Sequence, residues 1–214
     1  MTQINEAMNL VVPVVTDVVR EKKDGQDIET VVVRVWAYHN PIAREVFEAN
    51  YRVLAATKAA LSGRGAAYAM DAGPRIAALT LRDEGLRDAE ARGRFDANGN
   101  TIDEAVPALL AEIKRLTNVM VPGSGGWDFM PVETAIAAGK IDAEDWSEAE
   151  SAIVFFTSHW SMAKKAERAR VARSVASVLR ASITSSSPME FAASLPSSTT
   201  ETTSAKRAAS SDPS

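Results

Sequence analysis

The chain has 214 residues, of which 46% are hydrophobic and 24% charged, and a formal net charge of -4. Such a chain can bury the core of one medium-sized domain, and its negative balance argues against a protein whose main work is neutralising nucleic-acid phosphates. It holds no cysteine, which excludes disulfide staples, thiolate metal sites and thiol nucleophiles and fits a reducing compartment.

Valine-rich runs at Leu10–Val19 and Ile28–Tyr38 flank Lys23-Asp24-Gly25-Gln26. Asp-Gly between β-branched runs predicts a hairpin, because both central residues of a tight I′ turn need positive φ. Pro13 cannot donate to a strand ladder, so it marks a sheet edge or a bulge. Both strands are apolar at nearly every position, so helices are expected over at least one face.

Asn40-Pro41 reads as the cap and first residue of a helix running to about Leu61 and closing near Gly63. Ala43, Val46, Phe47, Leu54 and Leu61 form its apolar stripe; Asn50 and Thr57 interrupt it. The simpler reading of Asn50 is a boundary side chain bonded to a neighbour, and the sharper one is a selector of one partner helix. A second helix is expected over Pro74–Ala91.

After a turn at Arg94–Asn100, Ile102, Val106, Leu109, Leu110, Ile113, Thr117 and Met120 predict one helix, with Pro107 in its first turn. Val121–Pro131 reads as a glycine-rich loop carrying Trp127 and Phe129, and Pro131–Ala138 as a short helix closed by Gly139. A capping box at Ser147-Glu148-Ala149-Glu150 opens a long helix to about Ile183. Its face is Ile153, Phe156, Trp160, Val171, Val175 and Val178; Lys164 and Glu167 break the stripe, where a bend, a surface crossing or a partner contact is expected.

Beyond Ile183 the composition turns to serine and threonine, too polar to offset its own ordering entropy. Within it, Ser187-Pro188-Met189-Glu190 repeats helix-start grammar, so Met189, Phe191 and Leu195 are read as one side of a two-turn helix ending before Pro196. So short a helix must dock to exist. The expected architecture is α+β and mostly α: a hairpin over 9–38, four or five helices between 41 and 183, and a disordered tail over 184–214 with a docking helix at 188–195.

The residues assemble no convincing catalytic constellation. Asp96, Asn98 and Asn100 imitate the start of a calcium loop, but Thr101 stands where glycine is required. Ser161-Met162-Ala163-Lys164 has the spacing of a serine–lysine nucleophile without its companion motifs. Gly123-Ser124-Gly125-Gly126 lacks the Lys-Ser/Thr of a phosphate loop and reads as a turn. Two histidines, His39 and His159, are too few for a metal site. Lys164, Lys165, Arg168, Arg170 and Arg173 spread around the helix, as solvated charges do; an acidic partner is the sharper alternative. No catalytic, cofactor or metal site is therefore assigned. No run approaches the roughly 18 apolar residues of a membrane span, and Met1–Glu6 lacks the pattern of a secretory signal, so a cytoplasmic protein is expected.

The run from Ile141-Asp142-Ala143-Glu144-Asp145-Trp146 to Phe155-Phe156, continued by Ser182-Ile183-Thr184-Ser185 and Phe191-Ala192-Ala193-Ser194-Leu195-Pro196, resembles the C-terminal half of tail assembly chaperones of long-tailed, siphovirus-like phages. The resemblance implies a non-virion helper in the host cytoplasm that binds the tape-measure protein and keeps it soluble while tube subunits assemble around it. It carries over no site residues, since no catalytic motif defines the family. The expected partner is the tape-measure protein, with the tail tube protein and a second copy of this chain as further candidates; neither nucleic acid nor membrane is expected. The apolar surface for such a partner is assigned to Phe155, Phe156, Trp160, Met189, Phe191 and Leu195. For Phe156 and Trp160 the competing reading is that they fill this chain's own core. The rival functions are a structural minor tail or connector protein and a small enzyme using Ser161 and Lys164.

Overall fold

A computed structural model of the chain describes residues 8–23, 26–124 and 126–195. Its strands are β1 (Asn9–Lys23), β2 (Gln26–His39), β3 (Thr117–Gly123), β4 (Gly126–Pro131) and β5 (Ser182–Thr184). They form one sheet in the order β4-β3-β2-β1-β5, antiparallel throughout. The N-terminal strand pair expected from the valine runs is thus the middle of a five-stranded sheet, not a free-standing hairpin. Its Asp24-Gly25 turn lies outside the described residues. Pro13 sits at a register shift, the bulge its missing amide calls for.

β5 pairs with β1 only over Asn9–Val11, and β3 pairs with β2 only over Trp36–His39. From Thr16 and Val33 outward, β1 and β2 continue as a two-stranded ribbon with no third strand beside it among the described residues.

The helices are α1 (Arg44–Ala49), α2 (Tyr51–Ser62), α3 (Ala66–Asp71), α4 (Gly73–Ala91), α5 (Ala105–Arg115), α6 (Val132–Ala137), α7 (Ala143–Trp160), α8 (Arg168–Val178) and α9 (Pro188–Ser194). The first expected helix is split in two at Asn50, whose Nδ2 donates to the Val46 carbonyl at 2.9 Å. Thr57 likewise donates to Val53 at 2.8 Å, so both polar residues of the stripe are satisfied by their own helix. Asn40 is not the cap. Its backbone amide and Nδ2 donate to the Leu116 carbonyl at 3.0 and 3.2 Å, tying the end of β2 to the end of α5.

The helix expected from Ile102 to Met120 is also corrected. It ends at Arg115, and the chain enters β3, where Val119 and Val121 face one way and Met120 the other. The glycine-rich loop is β4 with its turn, closed by the Gly123↔Gly126 pair. Gly139, at φ 63, closes α6 with its amide on the Ile136 carbonyl at 3.0 Å, as expected.

α7 is capped earlier than Ser147, by Asp142. The Asp142 carboxylate accepts from the Glu144 and Asp145 amides at 2.8 Å each, while Asp145 accepts from the Asp142 amide at 2.9 Å. The expected long helix is two, and the stretch between them, from Trp160 to Arg168, holds Lys164 and Glu167, the polar interruption of the stripe. Residues Ala149 to Ser158 are buried without a gap, which makes α7 the central helix of the domain. It packs on α2, α4, α5 and α8 and on β1, in a core that also takes Leu10, Val12, Val35, Ala37, Val119 and Val121 from one sheet face.

Order does not stop at Ile183. β5 extends to Thr184, and α9 occupies the expected docking-helix position; residues 196–214 lie outside the described residues. No described helix is long and apolar enough to cross a membrane.

Candidate functional site

The second face of the sheet is the candidate site. Strand side chains alternate between faces, so while Val35 and Ala37 enter the helical core, Trp36 and Tyr38 point the other way. Trp36 pairs with Met120 and Met120 with Phe129, which lines three large side chains across β2, β3 and β4. Val11 stands opposite Tyr38 in the neighbouring row, and Trp127 extends the surface along β4. Val11, Tyr38 and Met120 are fully buried, whereas Trp36, Trp127 and Phe129 are only half-buried.

What covers this face is α9. Its cap is reciprocal: the Ser187 hydroxyl accepts from the Glu190 amide at 3.4 Å, and Glu190 Oε2 accepts from the Ser187 amide at 2.8 Å. The Ser187 amide and then the Ser187 hydroxyl, which also donates to Oε2 at 2.9 Å, hold the Glu190 carboxyl below the usual carboxylate range. Pro188 supplies a preset φ in the first turn. Phe191 then meets Trp36 edge-on at 6.3 Å between ring centroids and Tyr38 at 6.4 Å, with Ala192 and Leu195 beside it. Two polar groups reach from the sheet to a single acceptor: the Tyr38 hydroxyl and Asn9 Nδ2 (3.3 Å) both donate to the Ser186 carbonyl. Burial, and then the nearby Glu190 charge, push the Tyr38 phenol above its ordinary pKa.

Of the six residues assigned to a partner surface, Phe191 and Leu195 lie on this face, four apart on one side of α9. Met189 does not; it is 76% exposed, because residues two apart point to opposite sides of a helix. Phe155 and Phe156 are core residues, 1% and 3% exposed, and are withdrawn from the surface. Adjacent helical positions normally diverge, but α7 is enclosed on every side, so both are covered. Trp160 is half-buried at the end of α7, stacked on Phe156 at 5.9 Å with the Arg168 guanidinium 6.0 Å from its ring. Trp36, Tyr38, Met120, Trp127 and Phe129 were missed. Their signal was the period-two spacing of Trp36 with Tyr38, hidden by the apolar Val35 and Ala37 on the opposite face, and of Trp127 with Phe129 on either side of the exposed Asp128, hidden by the glycines before it.

The remaining chemical candidates are absorbed locally. His39 is buried against Thr117, with Nδ1 2.9 Å from the hydroxyl that itself donates to the Ile113 carbonyl at 2.7 Å. Burial lowers its pKa to about 4. His159 Nδ1 lies 2.8 Å from the Phe155 carbonyl, and desolvation lowers its pKa as well. The Ser161 hydroxyl donates to the Thr157 carbonyl, while Lys164 is exposed. Asp96 accepts from the amides of Asn98 and Asn100 at 2.8 Å each and from Asn100 Nδ2 at 3.1 Å, so its carboxylate closes its own turn. Among the described residues, no group of three or more acidic or histidine side chains is placed to hold a metal. Arg170 lies 3.8 Å from Glu167, Arg168 donates to the Ala163 carbonyl at 3.2 Å beside Trp160, and Lys164, Lys165 and Arg173 are exposed.

The chain was compared with protein-family models, with curated proteins and with solved structures. It matches none of them.

Proposed function

We propose that this protein is a tail assembly chaperone of a long-tailed phage, binding the tape-measure protein in the host cytoplasm and keeping it soluble while the tube is built. The observation that carries the reading is the aromatic sheet face, which holds a short amphipathic helix through Phe191 and Leu195 and leaves Trp36, Trp127 and Phe129 half-buried beside it. Tape-measure proteins are long helices with apolar stripes, and patches of that kind aggregate unless covered. Aromatic residues on an otherwise folded surface are the usual anchors for such a cover. The sequence from Ile141 onward, with its resemblance to such chaperones, supports the same reading.

Co-expression with the tape-measure protein of the same phage tests it. The expected outcome is a soluble tape-measure protein that co-purifies with this chain, and a tape-measure protein that stays insoluble overturns the proposal. Mass spectrometry of purified particles should find this chain absent. Its presence at structural stoichiometry would assign it instead to a minor tail or connector component.

A further inference from the structure

We infer that the second face of the sheet is a binding site for a short capped helix on another protein, and that α9 is its built-in competitor. This deepens the chaperone reading by naming the surface and the chemistry of the helix it takes. The occupant is a segment that opens on a small polar cap followed by proline and carries an aromatic residue and a leucine four positions apart.

Three observations lead here. First, a segment with that chemistry already sits on the face, so the site's grammar can be read from its contacts: an aromatic side chain between Trp36 and Tyr38, and a carbonyl just before the cap accepting from Tyr38 and Asn9. Second, α9 is lightly held. None of its residues is buried, its approach Ser185–Ser187 is polar, and a helix of seven residues has little stability of its own. Elements with few buried contacts open well below the global unfolding free energy. Third, the platform is larger than its cover. Trp36, Trp127 and Phe129 remain half-buried with α9 in place, and the Trp127 indole N–H, itself enclosed, has no acceptor among the described residues. A partner helix longer than α9 would cover more of this aromatic surface than α9 does.

While α9 is docked, the affinity for any competitor is reduced by the fraction of molecules that are open. Weakening α9 should therefore strengthen binding in trans. The test uses the full chain and a labelled synthetic peptide of residues 185–195 as the probe. We expect the Phe191→Ala/Leu195→Ala variant to bind the peptide at least tenfold more tightly than the unmodified chain. A peptide with Phe and Leu moved out of the four-residue spacing should bind neither. Adding Trp36→Ala to the double variant should abolish binding, and Trp127→Leu, at a half-buried position on the edge strand β4, should weaken it if the Trp36 variant does not fold. Hydrogen exchange separates a competitor from a fixed part of the core: amides of residues 191–194 in the unmodified chain should exchange at least a hundredfold faster than those of α7. Exchange of both at one common rate overturns the inference, as does equal peptide binding by the unmodified chain and the double variant.

The same variants keep this inference apart from the chaperone reading. If the peptide binds as expected but no variant holds the tape-measure protein, the surface stands and the function falls. If the tape-measure protein is held equally with and without Trp36, the function stands and the surface falls.

Discussion

Gly73 lies so close to the ring of Phe155 that a Cβ at position 73 would stand 2.6 Å from Phe155 Cε2 and 3.2 Å from Cδ2. The start of α4 and the middle of α7 thus meet almost backbone to ring. One turn further on, Ser151 completes the contact by accepting from the Ala78 amide at 3.0 Å and donating to the Arg75 carbonyl at 2.9 Å. Gly73→Ala should destabilise the domain by about 1–3 kcal/mol through overpacking, less the few tenths gained in helix propensity. Chemical denaturation measures it, and the additional change Phe155→Leu should recover part of the loss. A neutral Gly73→Ala would mean that α4 and α7 can shift apart freely.

Glu150 is buried in the same helix pair and meets Arg82 Nη2 at 2.5 Å, with side-chain exposures of 7% and 47% respectively. Removing the half-exposed arginine strands a buried acid. Arg82→Ala is expected to cost about 1–2 kcal/mol, with water replacing part of the lost bond. Glu150→Gln should lessen that cost when the two are combined, so a double-mutant cycle reads the coupling directly. Additive effects would show that the pair contributes nothing beyond its separate members.

His39 gives the fold a pH dependence of defined sign. Its folded pKa of about 4 lies below the unfolded value of 6.5, so the unfolded chain binds the proton more readily between these values. Stability from this group is therefore present in full above about pH 6.5 and is lost as the pH falls towards 4. The integrated loss is about 3 kcal/mol. Other ionisable groups contribute to the same curve, so the informative comparison is with His39→Gln, whose stability should fall less steeply from pH 7 to 4. Parallel curves for the two proteins would place the acid sensitivity elsewhere.

Phe156→Ala should cost about 3–5 kcal/mol, as a large core truncation does. A docking-surface residue would cost almost nothing in the free protein. Thermal unfolding distinguishes the two roles without any partner present.

That last contrast shows what could be read in advance and what could not. Helix-start chemistry was legible at Ser187 and Glu190, a cap and an acid three apart, because the bonds involved are local. The choice between Ser147 and Asp142 was not, since both begin an acceptable box and only the burial of Trp146 decides for the earlier one. β3 was hidden for a different reason. Val119, Met120 and Val121 are all buried, from two sides of a sheet covered on both faces, and such a run carries no alternation to distinguish it from a helix. The aromatic face was lost with it, because Trp127 and Phe129 become a surface only once β3 and β4 join β2. Phe155 and Phe156 were misplaced because a helix buried all round presents no single stripe.

The pairing of Asn9 with Thr184 has a consequence for how the molecule is made. On the ribosome, the first strands emerge long before their neighbours: β3 must wait for residue 117, and β5 for residue 182. Until then the nascent polypeptide carries a valine-rich ribbon with unsatisfied ladder edges and an uncovered aromatic side. Contacts of such long sequence separation form slowly, so closure of the sheet comes late in folding. In the interval this chain would itself be a client for the cell's general folding helpers.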